Sequence, residues 1–272
     1  MKALARVVVP VIGLALLSAP QLFAQWPPHP TPGVPRTADG EVDLDAPPPR
    51  TADGKPDLSG VWQGVNVFGG GEPRAPEPTD GPPVAGFLNV AQNIKEGLPL
   101  RPEAEALFKS RRDGNGRDNP EAYCLPMGIM QFHTQGAPRK FIQTPQVLAI
   151  LYEASMGLRQ IFTDGRSLPT DDAQPWWYGY SVGRWEGDTL VVETAGFRDD
   201  GWLDVFGTPL TDAAKLTERF RRVGYGRMEI DITVDDPKAY TRPWTVRVNQ
   251  RLMPDQELIE FVCLENQRFG AR

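Results

Sequence analysis

Residues 179–194, GYSVGRWEGDTLVVET, contain the pattern that decides between two different folds. The first five residues match the G-x-S-x-G motif of hydrolases, in which a serine nucleophile occupies a sharp turn between a strand and a helix. After Ser181, however, the chain runs through the turn-forming residues EGD into DTLVVET, whose Thr and Val residues are typical of a return strand. The stretch therefore predicts a β-hairpin.

The histidine content also argues against Ser181 as a nucleophile. A serine nucleophile needs an adjacent base, which is usually a histidine. The chain has two histidines, His29 and His133, and both precede Ser181. In the enzymes that carry this motif the histidine follows the serine in the chain. We therefore interpret Ser181 as part of the hairpin.

Further hairpins are predicted on both sides of this one. Short turns join stretches of β-branched and apolar residues after residue 140, and with the central hairpin they give about eight strands. These stretches are KFIQTPQVLAILYEA (140–154), LRQIFTDGR (158–166), LTERFRRV (216–223), RMEIDITVDD (227–236), TVRVNQRLM (245–253) and ELIEFVCLE (257–265). The absence of crossover helices excludes parallel α/β folds. We predict a mainly β fold, an antiparallel meander that closes into a calycin-like barrel or stacks as a sandwich.

One helix is predicted, near residues 101–112. Pro102 suits the first helical position, acidic residues follow it, and Arg111 and Arg112 precede Gly114. An additional strand is expected within residues 58–68, LSGVWQGVNVF, where the β domain begins.

Three regions are predicted along the chain. Residues 1–24 have a short basic start and an apolar run, which is typical of a secretory signal peptide, with an uncleaved anchor as the alternative. Residues 25–57 are rich in proline and contain PRTADGEVDL, which recurs as PRTADGKPDL, so we predict a flexible linker. Residues 58–268 form the antiparallel β domain.

The charge and cysteine content restricts compartment and partners. The formal net charge is −6, and no block of basic residues is present, so nucleic acid and anionic membrane are not expected partners. We also expect no membrane insertion after signal cleavage. The two cysteines, Cys124 and Cys263, lie in the exported part and predict a disulfide in a secreted or periplasmic protein, with two buried free thiols as the alternative.

Several of these stretches resemble a family of uncharacterised secreted bacterial proteins. The resemblance lies in RQIFTDGR, WWYGYSVGRWEGDTLVVETAGF and DPKAYTRPWTV, and it covers nearly all of residues 51–266. It implies export and no particular activity. Members of that family carry a histidine-rich stretch where this chain has residues 207–220, with Thr208, Leu210 and Lys215 at such places.

A weaker resemblance is to lipocalin-type calycins. Gly60-Val61-Trp62 is similar to their G-x-W opening, and Arg247 or Arg251 would be the arginine of a late strand. The segment of about 75 residues that follows the first strand departs from the lipocalin pattern.

An aromatic cluster just before the central hairpin predicts the ligand-binding residues. Aromatic side chains with polar tips suit a partly hydrated pocket, and paired arginines could bind an anionic group. The alternatives are aromatic core packing and ordinary ion pairs. The predicted ligand-binding residues are Arg159, Arg166, Trp176, Trp177, Tyr180 and Trp202.

The catalytic residues are unknown, but three candidates exist: Glu153, Glu193 and Tyr180. A carboxylate directed into an apolar barrel would have a raised pKa and could transfer protons. The alternative for these glutamates is the polar face of a two-sided strand. Glu218 stands in ERFRR, where cross-strand ion pairs are the simpler interpretation.

No metal or other cofactor is predicted. His133 is isolated, two thiols cannot make a tetrahedral zinc site, and Asp199, Asp200 and Asp204 match no calcium loop.

The leading hypothesis is a secreted or periplasmic barrel that binds a small apolar or carbohydrate-like ligand. One alternative is a metal-independent hydrolase, lyase or isomerase that uses carboxylates and arginines on such a ligand. Another is a structural envelope-associated module. The oligomeric state does not follow from the sequence.

Overall fold

A closed β-barrel dominates the computed structural model, which describes residues 30–65, 81–169, 174–199 and 201–263. The described strands are β1 (Gly60–Gly64), β2 (Arg139–Gln143), β3 (Val147–Tyr152), β4 (Leu158–Phe162), β5 (Tyr180–Glu186), β6 (Thr189–Ala195), β7 (Gly201–Trp202), β8 (Pro209–Leu210), β9 (Lys215–Gly224), β10 (Arg227–Asp235) and β11 (Trp244–Leu252). Nine of them close in the order β1-β11-β10-β9-β6-β5-β4-β3-β2, while β7 and β8 form a separate two-stranded sheet. The predicted mainly β, calycin-like barrel is confirmed, and the predicted signal peptide lies outside the described residues.

The central hairpin forms as expected. β5 and β6 pair antiparallel from Tyr180↔Ala195 to Glu186↔Thr189 around the predicted turn. Two other strand predictions were wrong in detail. KFIQTPQVLAILYEA is two strands, β2 and β3, because Thr144 closes a turn onto the backbone of Val147. Residues 257–263 form no strand, since the barrel is already closed by the pairing of β11 with β1.

One strand pair departs from the predicted antiparallel meander. β4 and β5 run parallel and pair only at Ile161↔Ser181 and Phe162↔Val182. A parallel pair needs a long connection that returns the chain to the same end of the sheet, and the chain between Phe162 and Tyr180 is long enough for one. The result is a short seam in the barrel wall between β4 and β5.

Two α-helices accompany the strands in the described part of the chain. The first, α1 (Pro102–Asp113), matches the predicted helix, with proline at its start and arginines in its last turn. The second, α2 (Ile129–Thr134), was not predicted, because six residues are too few for a recognisable helical period. All six are buried.

The inward-facing side chains of the strands and the residues of helix α2 together fill the barrel interior. In β9 the buried residues are Leu216, Glu218, Phe220, Arg222 and Gly224, at every second position. From α2, Phe132 stacks on Tyr152 of β3 with ring centroids 4.1 Å apart, and the ring of His133 lies 6.1 Å from that of Phe220. The centre of the barrel is therefore packed with side chains.

The stretch predicted as a flexible linker is folded where the structure describes it. The two copies of the repeat form the same turn, in which the arginine donates to the glycine carbonyl at 2.8 Å, Arg36 to Gly40 and Arg50 to Gly54. The second turn is attached to the central hairpin, because Arg50 also donates to both carboxylate oxygens of Asp188, at 2.9 and 2.7 Å.

The predicted disulfide between Cys124 and Cys263 is confirmed. It joins the 3₁₀ turn Pro120–Tyr123, which precedes α2, to the segment after β11. This bond is compatible with an oxidising compartment. No helix in the described residues is long and apolar enough to cross a membrane.

Candidate functional site

A cavity of about 390 Å³ opens at the seam between β4 and β5. We call it the seam slot. Because β4 and β5 pair only over a short length, the first residues of β4 lie apart from β5 and form one wall of the slot. Residues 174–179, which precede β5, form the opposite wall. The lining residues are Leu158, Arg159, Gln160, Gln174, Pro175, Trp176, Trp177, Tyr178, Gly179, Tyr180 and Ser181.

Aromatic side chains make up one wall of the seam slot. Trp176 is 47% exposed, and its ring lies 5.7 Å from that of Tyr180 in an edge-to-face arrangement. The guanidinium of Arg198 covers Trp177 at 4.6 Å. Burial raises the pKa of Tyr178 above its usual value, so its hydroxyl stays protonated and can donate a hydrogen bond. This wall is therefore apolar with polar tips.

Arg159 and Ser181 form the floor of the slot, where it meets the barrel interior. Arg159 is buried, and its guanidinium donates to Ser181 Oγ at 3.2 Å, to Thr194 Oγ1 at 2.9 Å and to Glu218 Oε1 at 3.0 Å. A further bond joins it to the second carboxylate oxygen of Glu218. The positive charge at the floor is therefore already neutralised by the protein.

Glu218 lies behind this floor, inside the barrel, between Arg159 and His133. The Nε2 atom of His133 lies 3.3 Å from Glu218 Oε1. Burial alone would raise the pKa of Glu218, but the charge of Arg159 and the contacts with His133 and Arg159 outweigh it and lower the pKa to about 2. Burial lowers the pKa of His133, and Glu218 offsets this only in part. The interior thus holds a carboxylate, a guanidinium and a neutral imidazole.

Helix α2 is held in place by polar contacts to its C-terminal carbonyls. His133 O accepts from Arg139 Nη1 at 2.9 Å and from Gln250 Nε2 at 2.8 Å. Arg139 also donates to Gln135 O at 3.0 Å. These donors satisfy carbonyls that a helix end leaves without partners and fix the position of the His133 ring.

The interior network predicts a loss of stability in acid that begins below about pH 6.5. The pKa of His133 is lower in the folded protein than in the unfolded chain, where it is about 6.5. As the pH falls below about 6.5, the unfolded chain takes up a proton on His133 that the folded protein does not, and the free energy of unfolding falls. Glu218 contributes fully above about pH 4.5, and its contribution is lost as pH falls toward 2. Urea denaturation at successive pH values measures both steps.

His133→Gln is the control for the first step of this profile. The variant should keep the decline below pH 4.5 and lose most of the decline between pH 6.5 and 4.5. An unchanged profile would contradict the assignment of that step to His133.

Four of the predicted ligand-binding residues line the seam slot, namely Arg159, Trp176, Trp177 and Tyr180. Arg166 lies at its rim, where it donates to Tyr180 Oη at 3.0 Å and to Asp164 Oδ2 at 2.6 Å. Trp202 lies elsewhere, buried beneath the guanidinium of Arg111 at 4.7 Å.

The candidate catalytic glutamates Glu193 and Glu153 lie outside the barrel interior. Glu193 is on the outer face of β6, 3.3 Å from Lys215 Nζ and 3.6 Å from Arg184 Nη1. Glu153 accepts from the backbone N–H of Ile259 at 3.1 Å. The polar-face interpretation describes the position of Glu193, whereas Glu153 follows the last residue of β3 and precedes the 3₁₀ turn Ala154–Met156. The third candidate, Tyr180, is in the slot wall.

Sequence reasoning missed the position of Glu218 in the interior. The two-residue period places Glu218 on the same strand face as Leu216 and Phe220, although Arg222 shares that face. That signal was present, but the arginines next to Glu218 favoured surface ion pairs instead. Arg219 does form such a pair, with Glu186 at 3.0 Å.

Among the described residues no group of three or more His, Cys, Asp or Glu side chains is arranged to hold a metal ion. Asp204 is buried and accepts hydrogen bonds from Val90 N at 2.9 Å and Thr208 Oγ1 at 2.6 Å, so it organises a loop. Asp200 lies outside the described residues. No family model, curated protein or solved structure matches this chain.

Proposed function

We propose that this protein binds a small uncharged ligand, apolar or carbohydrate-like, in the seam slot. The observation that carries the proposal is the combination of an exposed aromatic wall with a floor whose charges are already paired. Pockets for small ligands are lined mainly by apolar and aromatic side chains with a few polar groups that set orientation. A volume of about 390 Å³ lies within the range of such pockets.

The paired charges support an uncharged ligand. The guanidinium of Arg159 already donates hydrogen bonds to Glu218, Ser181 and Thr194. At the rim, Arg166 is paired with Asp164, and its guanidinium covers the ring of Phe162 at 3.8 Å. An anionic ligand at the floor would have to break the buried pair of Arg159 and Glu218, and removing a partner from a buried charge is costly.

The packed interior supports a site in the barrel wall and not in the barrel centre. Lipocalin-type barrels of eight strands hold a ligand within the barrel. In this chain Met130, Phe132 and His133 of α2 occupy that region and are fully buried. The seam slot is reached from outside the barrel and ends at Arg159.

The enzymatic alternative has less support. A proton-transferring carboxylate must reach the substrate. No carboxylate is among the described residues that line the slot, and Glu218 is separated from it by Arg159. A purely structural module is disfavoured by the slot itself, because a structural barrel has no need of an exposed aromatic wall.

Trp176→Ala should weaken the binding of the neutral fluorescent probe N-phenyl-1-naphthylamine about tenfold. The indole supplies the largest exposed aromatic surface in the slot, and an aromatic contact contributes about 0.5–1.5 kcal/mol beyond the area it buries. Fluorescence titration of the purified protein measures the dissociation constant.

Tyr123→Ala is the matched control, because Tyr123 is exposed but does not line the slot. It should bind the probe as the unaltered protein does. Equal affinity of all three proteins, or an equal loss in both variants, would contradict a site at the seam.

Export by a cleaved signal peptide is part of the same proposal, together with membership of the secreted family that the motifs resemble. The basic and apolar start of the chain and the disulfide support it. The intact mass of the protein recovered from its own host should correspond to a chain that starts at residue 25. A mass that includes residues 1–24 would exclude cleavage at that point.

A further inference from the structure

The structure points to a neutral sugar ring as the occupant of the seam slot, and we infer that the ligand is an uncharged saccharide and not a purely apolar molecule. This inference rests on the proposed function and narrows it. The independent observation behind it is an unpaired strand edge on the wall opposite the aromatic side chains.

The hydrogen-bond direction along β4 follows from its pairing with β3. Tyr152 N donates to Gly157 O at 2.8 Å, and Thr163 N donates to Gln146 O at 2.8 Å. Because the direction of backbone groups alternates along a strand, the odd-numbered residues from 157 to 163 are directed toward β3. The even-numbered residues 158, 160 and 162 are directed toward β5 and the slot.

β5 uses only part of this edge. Its pairing with β4 is confined to Ile161↔Ser181 and Phe162↔Val182. The N–H and C=O of Leu158 and the N–H of Gln160 lie beyond that pairing and have no backbone partner among the described residues. Leu158 is 52% exposed. The slot therefore has two donors and one acceptor on this wall, beside the side-chain amide of Gln160.

An apolar ligand would cover these backbone groups without satisfying them. Burying a peptide group without a hydrogen bond costs about 1–3 kcal/mol in proteins, so such a ligand would lose much of what it gains on the aromatic wall. A sugar ring has an apolar C–H face and a rim of hydroxyls that both donate and accept. The C–H face can pack against Trp176 and Tyr180, and the hydroxyls can form hydrogen bonds with the β4 edge.

A peptide that added a strand to β4 is the competing class of ligand. Strand addition uses a row of backbone groups along an exposed edge. Here the row ends after two residues, because Ser181 occupies the next pairing position. The slot is also closed at that end by the floor of Arg159 and Ser181. A compact ring fits this short edge better than an extended chain does.

Leu158→Pro tests the inference, with Leu158→Ala as its matched control. Proline removes the N–H that faces the slot, and it is tolerated at the first residue of a strand when that N–H is not used in pairing. Gly157, with φ −67° and ψ 144°, already has the conformation preferred before proline. Alanine removes the same side chain and keeps the N–H.

The probes are a panel of neutral oligosaccharides of hexoses and N-acetylhexosamines, the apolar probe N-phenyl-1-naphthylamine, and N-acetyl tetra-alanine amide, each titrated by calorimetry or fluorescence. We expect at least one saccharide to bind, with about a fivefold loss in Leu158→Pro and less than a twofold change in Leu158→Ala. The apolar probe should bind Leu158→Pro at least as tightly as Leu158→Ala, because proline removes an N–H that this probe would cover without a hydrogen bond. Its binding also shows that the proline variant is folded.

Three results would overturn the inference. Binding of the apolar probe with no saccharide bound below about 10 mM would leave the proposed function standing and exclude the sugar. Binding of the peptide, with loss in Leu158→Pro, would assign the edge to strand addition. Failure of every probe would remove the proposed function as well.

Discussion

Glu218→Gln should lower the free energy of unfolding by about 3–5 kcal/mol, because it leaves the buried charge of Arg159 without its carboxylate. Glu218 is fully buried and is bonded to two nitrogens of the Arg159 guanidinium. The amide keeps the shape of the side chain, so little of the loss comes from packing. Urea denaturation followed by tryptophan fluorescence measures the change.

Glu193→Gln is the matched control for this substitution. Glu193 is on the neighbouring strand β6 and pairs with cations on the outer surface, where an ion pair contributes about 0–1 kcal/mol. A small change in Glu193→Gln beside a large one in Glu218→Gln is the expected result. Equal changes would show that the Glu218 carboxylate is not enclosed in the barrel.

The double variant Arg159→Met, Glu218→Leu separates the cost of an unpaired charge from the value of the pair. Replacing a buried ion pair by apolar side chains of similar volume is often neutral or stabilising. We expect the double variant to be more stable than Glu218→Gln. If it is less stable, the remaining polar groups of the network, Ser181, Thr194 and His133, depend on the charged pair.

Removal of the disulfide should have the second large effect. The double variant Cys124→Ser, Cys263→Ser opens a loop with a sequence separation of 139 residues, and the chain-entropy relation gives a loss of about 5 kcal/mol. The bond also anchors the 3₁₀ turn that contains Glu121. The carboxylate of Glu121 accepts a hydrogen bond from Gln131 of α2 at 2.9 Å. Urea denaturation of the two proteins under oxidising conditions measures the loss.

Reduction of the unaltered protein provides the control for that prediction. With dithiothreitol present, it should show the same midpoint as the double serine variant. A serine variant as stable as the oxidised protein would mean that the bond does not restrict the unfolded chain. A difference in midpoint between the reduced unaltered protein and the serine variant would point to the serine side chains themselves.

Much of the fold was predictable from local sequence. The hairpin around EGD follows from its turn residues and from the Thr and Val residues of the return strand. The disulfide follows because the chain has only two cysteines. The aromatic wall was also predictable as a cluster, since Trp176, Trp177, Tyr178 and Tyr180 stand close together in the chain.

The candidate site was predictable only in part. Trp202 was expected beside the other aromatic residues, but it packs under Arg111 instead. Glu193 follows two valines and Glu218 stands next to Arg219, yet the first is outside the barrel and the second inside. Alternation identifies the two faces of a strand, but where both faces carry charges it does not say which face is turned inward.

The sequence by itself determined the class of fold, the strands of the central hairpin, helix α1 and the pairing of the cysteines, because each depends on residues near one another or on composition. The tertiary structure decided the rest. Closure of β11 on β1, entry of α2 into the barrel and the parallel seam between β4 and β5 depend on contacts between residues distant in the chain. The seam slot exists because of that last pairing, since a fully paired β4 would have left neither an open edge nor a passage to Arg159.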